Sequence, residues 1–370
     1  MRILIAGGGT AGHVFPALAL AGRFVEGGHD VRFAGTATGQ EAVLVPAAGF
    51  AFETVRAQPL VRKVSIRALT APVEAVRSVG DCRPLVEEAD VVLGMGGYVS
   101  VPVALAALRS RRPLVLHEQN AVPGLANRAL ARPARTVALA FADARRALPR
   151  RARTVVTGNP VREEILAVQA DRERLAKEGR AELELEEGRR TVVVFGGSQG
   201  ALHVNRSIAS AIRRLEPDQM QVLILAGNAH ADALRAAIGE APPMPVRVLA
   251  FLERMELAYA VADLVVSRAG ATTVAELAVT GVPSVLIPYP YATGRHQEAN
   301  ARALQRAGGS SILLDDEIDG DVLAERIGRM LGEPDRLREM GERAKTWSRP
   351  DAADALAAVV LHAAETGEAP

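Results

Sequence analysis

Cysteine is nearly absent from this chain: Cys82 stands alone among 370 residues. It can form no internal disulfide and offers no Cys/His spacing for a metal, and a reducing compartment suits it. Aromatic residues make up only 4%, which leaves few rings for stacking on bases. Charge of neither sign is in excess, with 44 Lys and Arg against 43 Asp and Glu. That balance argues against a general nucleic-acid binder, and no nucleic-acid partner is expected. No apolar run reaches the length that spans a bilayer. Met1 leads straight into an apolar strand without a charged segment and cleavage site, so no signal peptide is expected. What remains is a cytosolic globular chain, with 49% hydrophobic residues to fill the cores of about two ordinary domains.

The apolar run Arg2 to Ala6 (RILIA) predicts a buried strand. Gly7-Gly8-Gly9-Thr10-Ala11-Gly12-His13 follows, and a helix is expected from about Pro16 to the Gly27-Gly28 stop. Asp30 to Phe33 reads as the next strand. This βαβ pattern puts a glycine loop at a strand's carboxyl end, where open α/β sheets bind ligands. Gly7, Gly9 and Gly12 formally satisfy GxGxxG, which raises a dinucleotide-dependent dehydrogenase. Such an enzyme carries an acidic residue at the tip of its second strand, whereas this strand ends Phe33-Ala34-Gly35-Thr36. A Walker P-loop is excluded as well, because no Lys-Ser or Lys-Thr follows a glycine loop. His13 closes the loop, either as an ordinary helix-start group or as an acid–base, since an imidazole's ordinary pKa lies near neutrality.

Leu60 to Val79 mixes apolar positions with Arg62, Lys63, Arg67 and Arg77. It reads equally as a solvated helix face and as a patch for an anionic membrane surface, where each basic residue adds about 1 kcal/mol. Val91 to Leu93 is a further strand, running into a second glycine turn, Gly94-Met95-Gly96-Gly97-Tyr98. Ser100 is expected to cap the helix that starts at Val101-Pro102. The strand Leu114 to Leu116 ends in His117-Glu118-Gln119-Asn120. Four consecutive polar side chains are costly to bury unpaired, so His117, Glu118 and Asn120 are expected to line a polar pocket. Glu118 alternatively orients a histidine.

Thr157-Gly158-Asn159-Pro160-Val161-Arg162 has the chemistry of a linker. Beyond it Thr191 to Phe195, then Gly196-Gly197-Ser198-Gln199-Gly200-Ala201, repeats the pattern of residues 2 to 13. Val222 to Leu225, Val246 to Leu249, Asp263 to Val266 and Ser284 to Ile287 continue the alternation of strand and helix. In DLVVSRAGATTVAE, Asp263 to Glu276, a helix opens near Ala271 just after a strand, and the N–H groups of its first turn suit a phosphate. Glu276 shares a helix face with Thr272 and Thr273, so its carboxylate can hold a ribose. Thr273 and Glu276 also satisfy a capping box, and at this level both readings stand. Gly281 stops that helix. Gln297 can bond sugar hydroxyls or simply cap a surface helix. Asp319-Gly320-Asp321 has the Asp-x-Asp form of a metal site, but before a helix Asp319 reads as an N-cap, and no metal is expected.

Taken together, the glycine loops, HEQN, NPVR and the Arg268-to-Glu276 stretch resemble the bacterial N-acetylglucosaminyltransferases of peptidoglycan synthesis, the MurG family, which make lipid II from lipid I. The resemblance runs collinearly from Gly7 to about Asn300. It implies an α/β fold with two Rossmann-like domains whose parallel sheets face across a cleft (GT-B type). Residues 1–158 would form the acceptor and membrane-side domain, 159–349 the UDP-sugar domain, and a helix at about 350–370 would pack back on the first. For the donor, UDP-N-acetylglucosamine, it implies Thr10, Ala11, Gly12, Asn120, Arg162, Ser198, Leu252, Ala271, Thr272, Thr273, Val274, Ala275, Glu276 and Gln297. Gly97, Tyr98 and the His13 loop would face the diphosphate and muramyl sugar of the undecaprenyl-diphosphate-linked acceptor, lipid I, and His13 or Glu118 would be catalytic. No cofactor is implied.

The family works on the cytoplasmic face of the cell membrane as a peripheral protein in cell-wall biogenesis, cell shape and division, so an anionic membrane surface and other cell-wall synthesis proteins are the expected partners. Two positions depart from the family pattern: Ala11 stands where glycine is usual, and His296 precedes Gln297 where some relatives pair two glutamines. The rival readings are a GT-B transferase or epimerase acting on a soluble acceptor, and a non-catalytic sugar-nucleotide-binding subunit.

Overall fold

A computed structural model describes residues 1–57, 66–196, 201–216 and 219–366, the side chains of Ala11 and of 66–76 aside. Two compact units result: Met1–Arg162 together with Arg349–Pro370, and Glu163–Ser348.

The first unit is built on seven strands: β1 (Arg2–Ala6), β2 (Asp30–Gly35), β3 (Ala51–Thr54), β4 (Val91–Gly94), β5 (Leu114–Glu118), β6 (Thr136–Leu139) and β7 (Thr154–Val156). They lie in the order β3-β2-β1-β4-β5-β6-β7, every pair parallel. Period-two alternation divides β1 between two cores. Ile3 and Ile5 face one layer with Leu20 and Phe24 of the helix Ala11–Glu26 and Leu356 and Val360 of the helix Ala352–Thr366. Leu4 and Ala6 face the other, with Cys82, Val86 and Val103. Chain direction across the sheet reverses between β1 and β4, and in register Ala6 pairs with Gly94. The first and second glycine segments therefore leave the sheet side by side, at the switch point where such sheets bind ligands.

The second unit repeats the plan with β8 (Arg190–Phe195), β9 (Met220–Leu225), β10 (Val246–Leu249), β11 (Leu264–Ser267), β12 (Ser284–Leu286) and β13 (Ser311–Ile312), in the parallel order β10-β9-β8-β11-β12-β13. Its switch point lies between β8 and β11. Val192, Val194, Ile224 and Val266 share one buried layer with Ile208 and Ile327.

Several boundaries differ from the sequence reading. The first helix starts at Ala11, with Pro16 inside it, because extended Thr10 ends the loop early (φ −143°, ψ 152°). Gly12 and His13 thus belong to the helix's first turn. Ser100 is the first residue of its helix, and its hydroxyl donates to the Gly97 carbonyl at 3.0 Å instead of accepting a helix N–H. The 157–162 segment does end where the first unit ends, and it is packed in place: Thr157, Asn159 and Val161 are buried, and the Gly158 carbonyl meets the ring of His117. Gly281 ends the helix Ala271–Thr280 in the left-handed conformation, as expected. Asp319 caps its helix, its carboxylate accepting the N–H groups of Asp321 and Val322 at 2.9 and 2.8 Å.

Candidate active site

At the β1/β4 switch point the two glycine segments touch. Gly97 has φ +77°, and a Cβ there would sit 2.9 Å from the Gly8 carbonyl oxygen, so only glycine lets the second turn lie on the first. The Tyr98 ring lies over Gly9. His13 projects from the first helical turn against Gly96 and Gly97, and its Nδ1 lies 3.1 Å from the Thr10 hydroxyl. The Arg162 guanidinium stacks on the Phe15 ring, 4.6 Å from its centroid.

Strand β5 continues through His117 and Glu118, two residues further than the apolar run suggests, and buries both. His117 Nε2 pairs with the Gly158 carbonyl at 3.0 Å. Burial pushes its pKa down to about 4, which leaves it neutral. Glu118, 3% exposed, accepts the N–H groups of Asn120 (2.9 Å) and Gly124 (3.0 Å) and the amide of Asn127 (2.9 Å). Burial raises its pKa, and these bonds oppose the rise. Its carboxylate is thus committed to shaping the 120–127 turn. Asn127 also donates to the His117 carbonyl at 3.1 Å and lies beside the point near Gly96 that His13 Nε2 reaches. Asn120 is half-buried at the rim.

In the second unit Gly270 is the N-cap of the helix Ala271–Thr280 and, as glycine, brings no side chain of its own to cap it. The first helical bond runs from the Val274 N–H to the Gly270 carbonyl at 2.9 Å, so the N–H groups of Ala271, Thr272 and Thr273 precede the ladder. The side chain of Val274 is buried in the core, and Ala275 is half-buried. The capping-box reading does not hold. Thr273 lies inside the helix, and Glu276 accepts the Tyr259 hydroxyl at 2.8 Å. Arg268 is turned inward, ion-paired to Asp315 and donating to the Ile287 and Pro288 carbonyls. It braces the loops after β11 and β12. Gln297 accepts the Tyr289 N–H at 2.9 Å, and Leu252 lies half-buried in the loop after β10. Ser198 and the rest of 197–200, residues 60–65 of the basic 60–79 stretch, and the side chains of Ala11 and of 66–76 lie outside the described residues.

The sequence reading missed Asn127, Tyr259 and Glu41. Asn127 and Tyr259 sit in ordinary helical patterns; the only signal is a polar group among apolar neighbours. Glu41, 1% exposed, looks in sequence like any first-turn helix acid. Each unit thus carries its own set of groups: a histidine–asparagine–carboxylate array over paired glycine turns in the first, and a helix N-terminus with a buried carboxylate in the second.

Residues 3–139 match the glycosyltransferase family 28 N-terminal domain, and residues 191–356 match the family 28 C-terminal domain. The UDP-N-acetylglucosamine–N-acetylmuramyl-(pentapeptide) pyrophosphoryl-undecaprenol N-acetylglucosamine transferase of Halothermothrix orenii is 39% identical over 96% of this chain and 97% of its own. That of Halorhodospira halophila is 42% identical over 96% of this chain and 97% of its own. The crystal structure of Acinetobacter baumannii MurG covers 98% of this chain and 99% of its own, with a TM-score of 0.78 and 30% identity. With both domain models matched in order and relatives alike along nearly their whole length, the chain belongs to glycosyltransferase family 28, of GT-B fold, and within it to the MurG family of N-acetylglucosamine transferases.

Proposed function

We propose the following division of labour for the transfer of N-acetylglucosamine from UDP-N-acetylglucosamine to the 4-hydroxyl of the muramyl sugar of lipid I, which gives lipid II. That reaction is the function of this glycosyltransferase, and the observation that carries it is 39% identity over 96% of the chain to a transferase named for it. The full-length match also disfavours a soluble acceptor, and a non-catalytic subunit.

In our reading the displacement is single and inverting. We take His13 as the tautomer whose Nδ1–H donates to the Thr10 hydroxyl, with Nε2 taking the acceptor's 4-hydroxyl proton. The freed oxygen bonds to the anomeric carbon while the bond to the diphosphate breaks, and UDP leaves with the electron pair. Neutral His117 adds no positive charge beside the imidazolium that forms. Glu118 positions the loop instead of taking the proton, because its oxygens already accept the Asn120, Gly124 and Asn127 hydrogens. Charge growing on the diphosphate is met by the N–H groups of Ala271 to Thr273 and by Arg162, aided by Ser198. Glu276 holds the ribose, Asn120, Leu252 and Gln297 the uracil and sugar, and Gly97 and Tyr98 the acceptor. The basic 60–79 stretch would meet anionic lipid at the cytoplasmic face of the membrane; no helix among the described residues is long and apolar enough to cross it.

The test is direct. Purified protein is mixed with UDP-N-acetylglucosamine and a short-chain lipid I analogue, with and without EDTA, while UDP release and product mass are followed. A disaccharide formed equally in both supports the reading. Donor binding without product sinks the acceptor assignment, and loss of product in EDTA sinks the metal-free one. Sedimentation with phosphatidylglycerol but not phosphatidylcholine vesicles supports the membrane contact; equal binding to both, or to neither, refutes it.

A further inference from the structure

We propose that Glu41 is a positioning residue of the first glycine loop, whose buried carboxylate holds Gly9 from within and through it sets the orientation of His13. The proposal deepens the reading of His13 as the base and rests on it.

Glu41 opens the short helix Glu41–Ala47 and is 1% exposed. Its Oε2 accepts the Gly9 N–H at 2.8 Å, and its Oε1 accepts the Thr36 N–H at 2.9 Å and the Thr36 hydroxyl at 2.8 Å. Burial pushes the carboxyl's pKa up, but the bonds from Gly9 and Thr36 outweigh it and the net shift is downward, so the group is charged. The chain is shaped around this side chain. A Cβ on Gly8 would fall 2.2 Å from its Cδ, one on Gly35 2.4 Å from its Cγ, and one on Gly39 2.1 Å from its Oε2.

The location gives these contacts meaning. In a dinucleotide-binding sheet the loop after the first strand turns its N–H groups to a diphosphate, and a carboxylate at the tip of the second strand takes a ribose. The tip of β2 carries no acid. Glu41 folds back instead and delivers a carboxylate to the same corner, aimed inward at the protein's own N–H groups. The Gly9 N–H is thereby taken up by the protein's own carboxylate. What the loop offers outward is the next step of chain. Gly9 leads to Thr10, whose carbonyl accepts the His13 N–H at 3.1 Å and whose hydroxyl meets His13 Nδ1. Holding Gly9 thus holds Thr10, and Thr10 aims the imidazole.

The test is Glu41→Ala, which leaves a carboxylate-sized hole facing the Gly9 and Thr36 donors, with formate as the probe. A misaimed imidazole should lower kcat by about 10- to 100-fold, while KM for UDP-N-acetylglucosamine stays within about twofold. Formate should restore both kcat and Tm saturably, whereas chloride at equal ionic strength should not, and the unsubstituted enzyme should respond to neither. A kcat within twofold of the parent overturns the proposal. So does a Tm that formate restores while kcat stays low, since Glu41 then holds only the fold. If Glu41→Ala does not fold, Glu41→Gln keeps the volume but sets an NH2 against a donor; it should lose kcat with KM unchanged, and parental kcat overturns the proposal. Failure of the base reading shows separately, as turnover retained in His13→Gln.

Discussion

Tyr259 donates its hydroxyl hydrogen to Glu276 across 2.8 Å, seventeen residues along the chain, with both side chains buried. The Tyr259 ring, held edge-on against Phe195 at 6.0 Å between centroids, has no room to swing, so the carboxylate is held in one orientation before any ligand arrives. A hydrogen bond to a charged group is worth about 1.5–3 kcal/mol. Lost wholly from donor binding, that amount corresponds to a rise in KM for UDP-N-acetylglucosamine of about 10- to 150-fold in Tyr259→Phe, with little change in kcat. If Glu276 holds the ribose, preference for the natural donor over its 2′-deoxy analogue should shrink in the same variant. Initial rates with both donors measure this, and unchanged preference refutes it.

His13→Gln removes the proton acceptor but keeps an amide able to meet Thr10. Loss of the general base should cost about 10²- to 10⁴-fold in kcat. Donor affinity, measured by calorimetry, should stay at the parental value. Near-normal turnover would exclude His13 as the base.

His117 is held neutral in the fold, with its pKa lowered from 6.5 to about 4. The unfolded chain binds this proton first as pH falls. Its contribution is therefore fully present above pH 6.5 and is lost progressively between pH 6.5 and about 4, a change of about 3 kcal/mol. Urea unfolding across that range should show the decline. His117→Gln, which can still donate to the Gly158 carbonyl, should flatten it; equal slopes in the two proteins would contradict the argument.

Gly28 and Gly97 separate backbone strain from loop contact. Their φ values are +76° and +77°, but a Cβ on Gly28 meets nothing within 4 Å, while one on Gly97 meets the Gly8 carbonyl oxygen at 2.9 Å. Gly28→Ala should cost about 1–2 kcal/mol and leave turnover intact. Gly97→Ala should cost more and lower kcat as well, because it parts the two glycine segments that flank His13. Thermal melts with rate assays distinguish them, and equal behaviour would refute the contact.

Much of this was legible in the residues. RILIA, Val91 to Leu93 and TVVVF are strands because short β-rich apolar runs bounded by glycine are buried on both faces of a parallel sheet. The two glycine segments of the first unit sit at one sheet edge because β1 and β4 are neighbours, an order the alternation of strand and helix suggested without proving. The start of the first helix was misjudged because Pro16 was read as a first-turn residue, whereas extended Thr10 lets the helix begin at Ala11 and carry the proline inside it, where the ring removes one ladder donor. Ser100 was misread because a hydroxyl can donate as well as accept.

The sequence by itself determined the alternation of strands and helices, the glycines where chain must approach chain, and the polar residues that interrupt apolar runs. These are local properties, set by side-chain period and by backbone freedom at each position. Only the tertiary structure decided which polar group satisfies which. Glu41 turns to Gly9 and Thr36, Glu276 to Tyr259, His117 to Gly158 and Glu118 to Asn127. A buried charge or donor must find its partner somewhere, and the residue it finds depends on which strand ends and loops the sheet order makes neighbours.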